Sequence, residues 1–183
     1  FCGCFGIKPT RARVPAFPTS PLGTVAHHGP LTRTVADAAL AMSAIAAPDR
    51  RDVYGWIAPG MDYAADLEGG VKGLKIAFPR TLGSATRADP EVAAAVEAAV
   101  RVLESEGAQV VQADPPVGAD PVEAWNTIWW TGMATQMAPF WEKADALGDP
   151  GIVAGSRAGA KLMASDLIAA QLERARLHNV FAE

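Results

Sequence analysis

The residues able to do chemistry fall into four groups along the 183 positions. Cys2 and Cys4 are one residue apart, with Lys8 following in a Lys-Pro-Thr run. His27 and His28 are adjacent, Asp49 and Asp52 form an Asp-x-x-Asp pair, and Trp125, Trp129, Trp130, Met133 and Met137 crowd one stretch. A Cys-x-Cys pair could ligate a metal, but a structural zinc wants four ligands and the nearest histidines are His27 and His28. Small buried side chains in a tight strand or turn explain the pair better, and no metal or cofactor is expected. Neighbouring side chains in an extended loop point apart, so His27 and His28 read as loop histidines and not as a base and its orienter. His178 reads as surface or packing. No Gly-x-x-x-x-Gly-Lys-Ser/Thr loop, Gly-x-Ser-x-Gly elbow or His-Glu-x-x-His pair is present, and Gly69–Gly73 (GGVKG) reads as a turn before a strand.

The elements that must position these groups are legible from periodicity. Residues 1–33 are rich in Gly and Pro with short β-compatible runs. From Thr34 to about Ala46 a helical period brings Val35, Ala38, Ala39, Met42 and Ile45 to one face, with Thr34 and Asp37 in capping-box spacing. A long Gly- and Pro-bearing connection, 49–73, leads to LKIAFP at Leu74–Pro79, a buried-strand signal. Asp89 and Pro90 then open a helix with a Val92, Val96, Ala99, Leu103 stripe and a Glu97–Arg101 pair, stopped at Gly107. AQVVQA follows, so strand, helix and strand form a βαβ unit with parallel strands. Asp120 and Pro121 open the next helix, which carries the tryptophans and meets Pro139. A last helix is predicted from near Ser165 to the end.

Bulk composition narrows the function. Sixteen basic and 20 acidic side chains give a formal charge of −4, without a clustered basic face, which argues against nucleic acid as a partner. No window approaches the 18 or more apolar residues of a membrane span, so no membrane partner is expected and a cytoplasmic location is. The length suits one α/β domain, 1–183, with a mixed sheet covered by helices.

Two stretches together resemble the amidase signature family. That family shows C-G-x-x-G-x-K-P-T-x-G-R-V, met here at Cys2, Gly3, Gly6, Lys8, Pro9, Thr10, Arg13 and Val14. It then shows G-P-[LM]-x-R-[TS]-x-x-D-[AL]-A, met at Gly29, Pro30, Leu31, Arg33, Thr34, Asp37 and Ala38, and a D-x-x-D loop, met at Asp49 and Asp52. The order of VKGLKIAF, the DPEV helix with its strand, and the QLERARL helix is also similar. Ala12 departs, standing where the family usually has Gly, at a position that favours a turn conformation easier for Gly.

The resemblance implies a portion of the amidase signature fold and hydrolysis of a carboxamide C–N bond through an acyl-serine intermediate. It implies a serine nucleophile, a second serine in a cis peptide, and a neutral lysine as base. A desolvated lysine can draw the proton from a serine hydroxyl that is a poor nucleophile alone. The family carries its nucleophile in a G-G-S-x-R-x-P-A stretch shortly before the position of Cys2. The nucleophile is therefore expected just upstream of Phe1, and the cis serine and the lysine earlier still. Lys8 belongs to the Lys-Pro-Thr motif and is not that base. The 183 residues thus read as the central part of an amidase, catalytically inactive alone, with no catalytic residue among them.

The resemblance also implies that the helix after the βαβ unit contributes to the acyl pocket. Trp125, Trp129 and Met133 are its candidate substrate-binding residues here, suiting an apolar or aromatic small-molecule amide. The alternative is that they are core between helix and sheet. Two rivals for the whole protein stay open: the A-subunit type of glutamyl/aspartyl-tRNA amidotransferase, and a non-catalytic binding scaffold. Unpaired sheet edges would also permit a homodimer.

Overall fold

The computed structural model describes residues 2–55, 61–65, 67–80, 88–114, 117–118 and 120–182. Of the connection 49–73, residues 56–60 and 66 lie outside that set. Phe1, the residue before which the nucleophile is expected, also lies outside it, so that expectation is neither met nor opposed by the fold. Two compact units are formed, one from residues 1–67 with 125–167 and the other from 68–124 with 168–183.

In the first unit, β1 (Phe5–Gly6) pairs antiparallel with β2 (Leu31–Thr32), Phe5 opposite Thr32 and Gly6 opposite Leu31. Ile7 extends the pairing by donating to the Pro30 carbonyl at 3.3 Å. Gly29 lies where this ribbon closes: a Cβ there would run into the Ile7 carbonyl oxygen and come within 2.8 Å of the Pro9 ring. That contact is the physical reason for glycine at the head of the Gly-Pro-Leu stretch.

Helix α1 (Val35–Ile45) starts as the sequence predicts, with the Thr34 hydroxyl accepting from the Asp37 amide at 3.1 Å. Its centre, Ala38, Ala39 and Met42, is buried, while the flanking Val35 and Ile45 remain exposed. Helix α3 (Val122–Met137) opens where Asp120 accepts from the Val122 amide at 2.9 Å. Pro139 ends it: Ala138–Phe140 tighten into a 3-10 turn, and α4 (Trp141–Leu147) begins anew. Helix α5 (Pro150–Gly159) follows, its Asp149 accepting from Ile152 at 3.0 Å. Arg157 of α5 pairs with Asp145 of α4 at 2.8 Å and lies over the Trp141 ring. Helix α6 spans Ala164–Ala182 and includes residues of both units.

The second unit is the βαβ module. β3 (Lys75–Phe78) and β4 (Gln109–Gln112) are parallel, in register from Lys75–Gln109 to Phe78–Gln112. Between them α2 (Pro90–Ser105) is opened by Asp89, which accepts from Glu91 at 2.9 Å, and closed at Gly107 with φ +93°. Gly107 donates to Glu104 and Ala108 to Leu103, both at 3.0 Å, the paired bonds of a Schellman end. Glu97 and Arg101 approach to 4.0 Å, worth a few tenths of a kcal/mol at such exposure. The half-buried stripe is Ala93, Glu97, Val100 and Leu103, sharing only Leu103 with the expected one; Val92, Val96 and Ala99 are exposed. Among the described residues the mixed α/β character is thus carried by two two-stranded sheets, one antiparallel and one parallel.

Candidate functional site

The Lys-Pro-Thr stretch leaves β1 and turns at once. Arg13 donates to the Thr10 carbonyl at 3.0 Å, and the third residue of that turn, Ala12, sits at φ +65°. This is the left-handed conformation expected where the family usually has Gly, and an L residue holds it at a cost of roughly 1–2 kcal/mol. Ala12→Gly is therefore expected to stabilise the chain by about 0.5–1 kcal/mol, the strain relieved being partly offset by the freer unfolded glycine. A urea midpoint raised at unchanged slope would show it; a lowered midpoint would refute it.

The Asp-x-x-Asp loop folds over the chain that follows this turn. Asp52 Oδ2 accepts from the Ala16 amide and Oδ1 from the Tyr54 amide, both at 2.9 Å. Asp49 holds Arg51 in a two-oxygen pair, closest at 2.6 Å, and accepts from the Arg51 amide. The Arg51 guanidinium lies 4.6 Å over the Phe17 ring, and that of Arg11 lies 4.8 Å over Tyr54. Beside the Asp52 contacts lies a small, half-open cavity of about 40 Å³, lined in part by Thr10, Ser20, His27 and Asp52. Nδ1 of His27 lies 3.3 Å from the Val25 carbonyl oxygen, and His28 is exposed.

Both carboxylates are more acidic than usual. The Arg51 side chain and amide bring Asp49 from 3.8 to about 2. The amides of Ala16 and then Tyr54 lower Asp52. A carboxylate depressed by folding stabilises the fold above its unfolded value and loses that contribution as pH falls through the folded one. The loop should therefore hold at pH 5 and loosen between about 4 and 2, least steeply in high salt because the groups are solvated. The Arg51 amide resonance, whose proton Asp49 accepts, followed by NMR down that range, is expected to move there; a flat response would contradict it.

The candidate substrate residues sit on α3. The Trp125 and Trp129 rings stack, centroids 4.9 Å apart and planes 15° apart. Trp125 keeps 45 % of its surface exposed, and Trp129 and Met133 are half-buried one and two turns on. Buried positions of the helix are Ile128, Gly132 and Ala134. Adjacent Trp130 faces elsewhere, as two neighbouring residues must: a Cβ on Gly155 of α5 would strike its ring. The structure thus separates a packing tryptophan, Trp130, from the stacked pair.

The remaining candidates are placed simply. Lys8 Nζ donates to the Pro9 carbonyl at 2.7 Å. Cys2 and Cys4 are exposed free thiols and not the buried side chains expected, Cys4 Sγ lying 3.2 Å from the Cys2 carbonyl oxygen. His178 is exposed on α6. Among the described residues, no three His, Cys, Asp or Glu side chains gather as metal ligands, and no helix is long and apolar enough to cross a membrane. What sequence reasoning does not reveal is the role of Gly132. It abuts the backbone of Pro21 and Leu22, a Cβ there coming within 3.1 Å of Leu22 Cα. A glycine inside an aromatic-rich helix is the available signal.

Comparison with known proteins agrees with this geometry. The family model described as Amidase matches residues 1–175. An acylamidase of Rhodococcus erythropolis is 37 % identical over 136 residues, covering 74 % of this chain and 28 % of the relative. The A subunit of a glutamyl-tRNA(Gln) amidotransferase of Myxococcus xanthus is 46 % identical over 112 residues, covering 61 % and 23 %. The chain thus spans about a quarter of the length of these curated relatives. Among solved structures, a bacterial aryl acylamidase of the amidase signature enzymes superposes with a TM-score of 0.83 at 26 % identity, over 96 % of this chain and 38 % of the other. A 6-aminohexanoate cyclic dimer hydrolase shares the fold, with a TM-score of 0.77 at 21 % identity over 98 % and 40 %. With the Lys-Pro-Thr turn, the Gly-Pro-Leu ribbon and the Asp-x-x-Asp loop built as one connected unit, and a family match running nearly end to end, the chain belongs to the amidase signature family.

Proposed function

We propose that the protein hydrolyses the C–N bond of a small aryl or otherwise apolar carboxamide through an acyl-serine intermediate. In this reading the 183 residues supply the acyl-pocket wall, Trp125, Trp129 and Met133, and the scaffold next to the nucleophile. The observation that carries it is the stacked and partly open Trp125–Trp129 pair, in a chain that matches the family over residues 1–175. Open indole faces favour a flat apolar group over a small polar amide. The likeness to an acylamidase and to an aryl acylamidase supports the same substrate class.

The nucleophilic serine, the cis serine and the lysine base are assigned to chain upstream of Phe1. The experiment is an assay of the protein from its complete reading frame with anilides, with labelling by a serine-directed fluorophosphonate. Anilide turnover and one labelled serine are expected there. The 183-residue polypeptide alone should give neither, and either signal from it would overturn the assignment.

A second reading is an ammonia-generating component of a larger assembly, supported by the 46 % identity to the A subunit of an amidotransferase. Release of ammonia from glutamine in preference to aniline from anilides would favour it.

A further inference from the structure

We propose that Asp52 is a positioning residue for the aromatic face of α3, acting through the segment from Ala16 to Leu22. Three contacts in the first unit make the connection. The two carboxylate oxygens of Asp52 are each occupied, one by the Ala16 amide and one by the Tyr54 amide, at 2.9 Å. The next residue, Phe17, is covered by Arg51 from the same loop. At its far end the segment meets α3 backbone to backbone, Pro21 and Leu22 against Gly132. Gly132 is seven residues past Trp125 and three past Trp129, so it shares the side of the stacked pair.

Between the two anchors the segment is short and stiff: Pro18 and Pro21 fix φ, and Leu22 donates to the Ser20 hydroxyl at 3.2 Å. A stiff segment transmits a shift at one anchor to the other, because few of its backbone dihedrals are free to absorb it. The contact at Gly132 has no side chain that could swing aside. Only a carboxylate suits the first anchor. An amide side chain offers one acceptor oxygen, so Asn at 52 could serve one of the two backbone donors and would confront the other with its own N–H. Asp52 in this role touches no substrate; it sets where the helix face bearing Trp125, Trp129 and Met133 stands.

The stacked Trp125–Trp129 pair supplies a readout independent of activity. Two indoles at 4.9 Å couple their transitions and give a paired positive and negative band in circular dichroism. In the full chain, Trp125→Phe should abolish that couplet and so assign it. Asp52→Ala is expected to reduce its amplitude at least twofold, and Asp52→Asn by less, with helix content by infrared unchanged. The exchange rate of the Ala16 amide should rise in both. Should the Ala variant fail to fold, the Asn variant decides. Faster Ala16 exchange with an unaltered couplet overturns the proposal, as does unaltered exchange.

A ligand arm, which rests on the aryl-amide reading above, uses acetanilide as the probe with tryptophan quenching as the signal. Its dissociation constant is expected to rise several-fold in Asp52→Ala. If wild-type protein does not bind acetanilide while the couplet still responds to position 52, the substrate reading falls and the positioning role stands. If acetanilide binds equally to wild type and to variants of undisturbed couplet, the positioning role falls and the substrate reading stands.

Discussion

Gly159→Ala is expected to destabilise the chain by about 2 kcal/mol, although alanine is the better helix former. Two effects oppose each other. Replacing glycine within a helix gains up to about 1 kcal/mol in propensity. Against this, a Cβ at 159 would enter the backbone of α3, striking the carbonyl of Trp130 and lying 3.0 Å from the Thr131 amide nitrogen. Backbone cannot rotate away as a side chain can, so α5 must lift, and forced overpacking costs about 1–3 kcal/mol or more. Gly155→Ala meets the Trp130 ring instead, which can tilt, so its loss should be smaller. Ser156, between them, should respond with the opposite sign. It is fully buried and its hydroxyl has no partner among the described residues, so Ser156→Ala removes an unsatisfied group and should gain about 1 kcal/mol. Urea denaturation of the three variants tests the ordering; a Gly159→Ala midpoint equal to or above wild type would show that α5 does not seat on α3 as described.

The same helix shows what can and cannot be read from sequence. Periodicity does not predict α5, yet it begins with Asp149 and Pro150, the same Asp-Pro pair whose signal places α2 and α3 correctly. What hides it is its interior: Gly151, Gly155 and Gly159 lower the propensity of the whole segment and break any apolar stripe. Those at 155 and 159 exist for a tertiary reason, the close approach to Trp130, which local pattern does not contain. The α2 stripe fails in a related way. Apolar spacing locates the helix but gives no means to choose between Val92–Val96 and Ala93–Val100, because alanine and valine fit either face. Capping, by contrast, is a local property of a few residues, and Thr34, Asp89, Asp120 and Gly107 all act as their types predict. In the site, the turn at Ala12 is legible only through the resemblance, because the family usually has Gly there. The hold of Asp52 on Ala16 is not legible, since it joins residues 36 positions apart.

Trp129→Ala should separate the two accounts of the aromatic face. If the stacked pair is a substrate wall, truncating Trp129 removes the flat surface offered to an aryl group and leaves a space that binding cannot refill. Affinity for an anilide should then fall roughly tenfold, equal to about 1.4 kcal/mol, while a short aliphatic amide that never reached the ring is bound as before. Trp129→Phe should keep most of the preference, because a smaller ring still presents a face. If the pair is instead packing, the loss appears in folding: a half-buried tryptophan cut to alanine costs up to about 3 kcal/mol of stability, and both amides are affected alike. Trp130→Ala provides the reference for that outcome, since its ring lies against Gly155 and should cost stability without altering preference. The deciding quantity is the ratio of anilide to aliphatic amide kcat/KM in the enzyme from the complete reading frame, measured beside the urea midpoint of each variant. A ratio that collapses in Trp129→Ala and survives in Trp130→Ala assigns the wall to the stacked pair; equal ratios in both make the pair core.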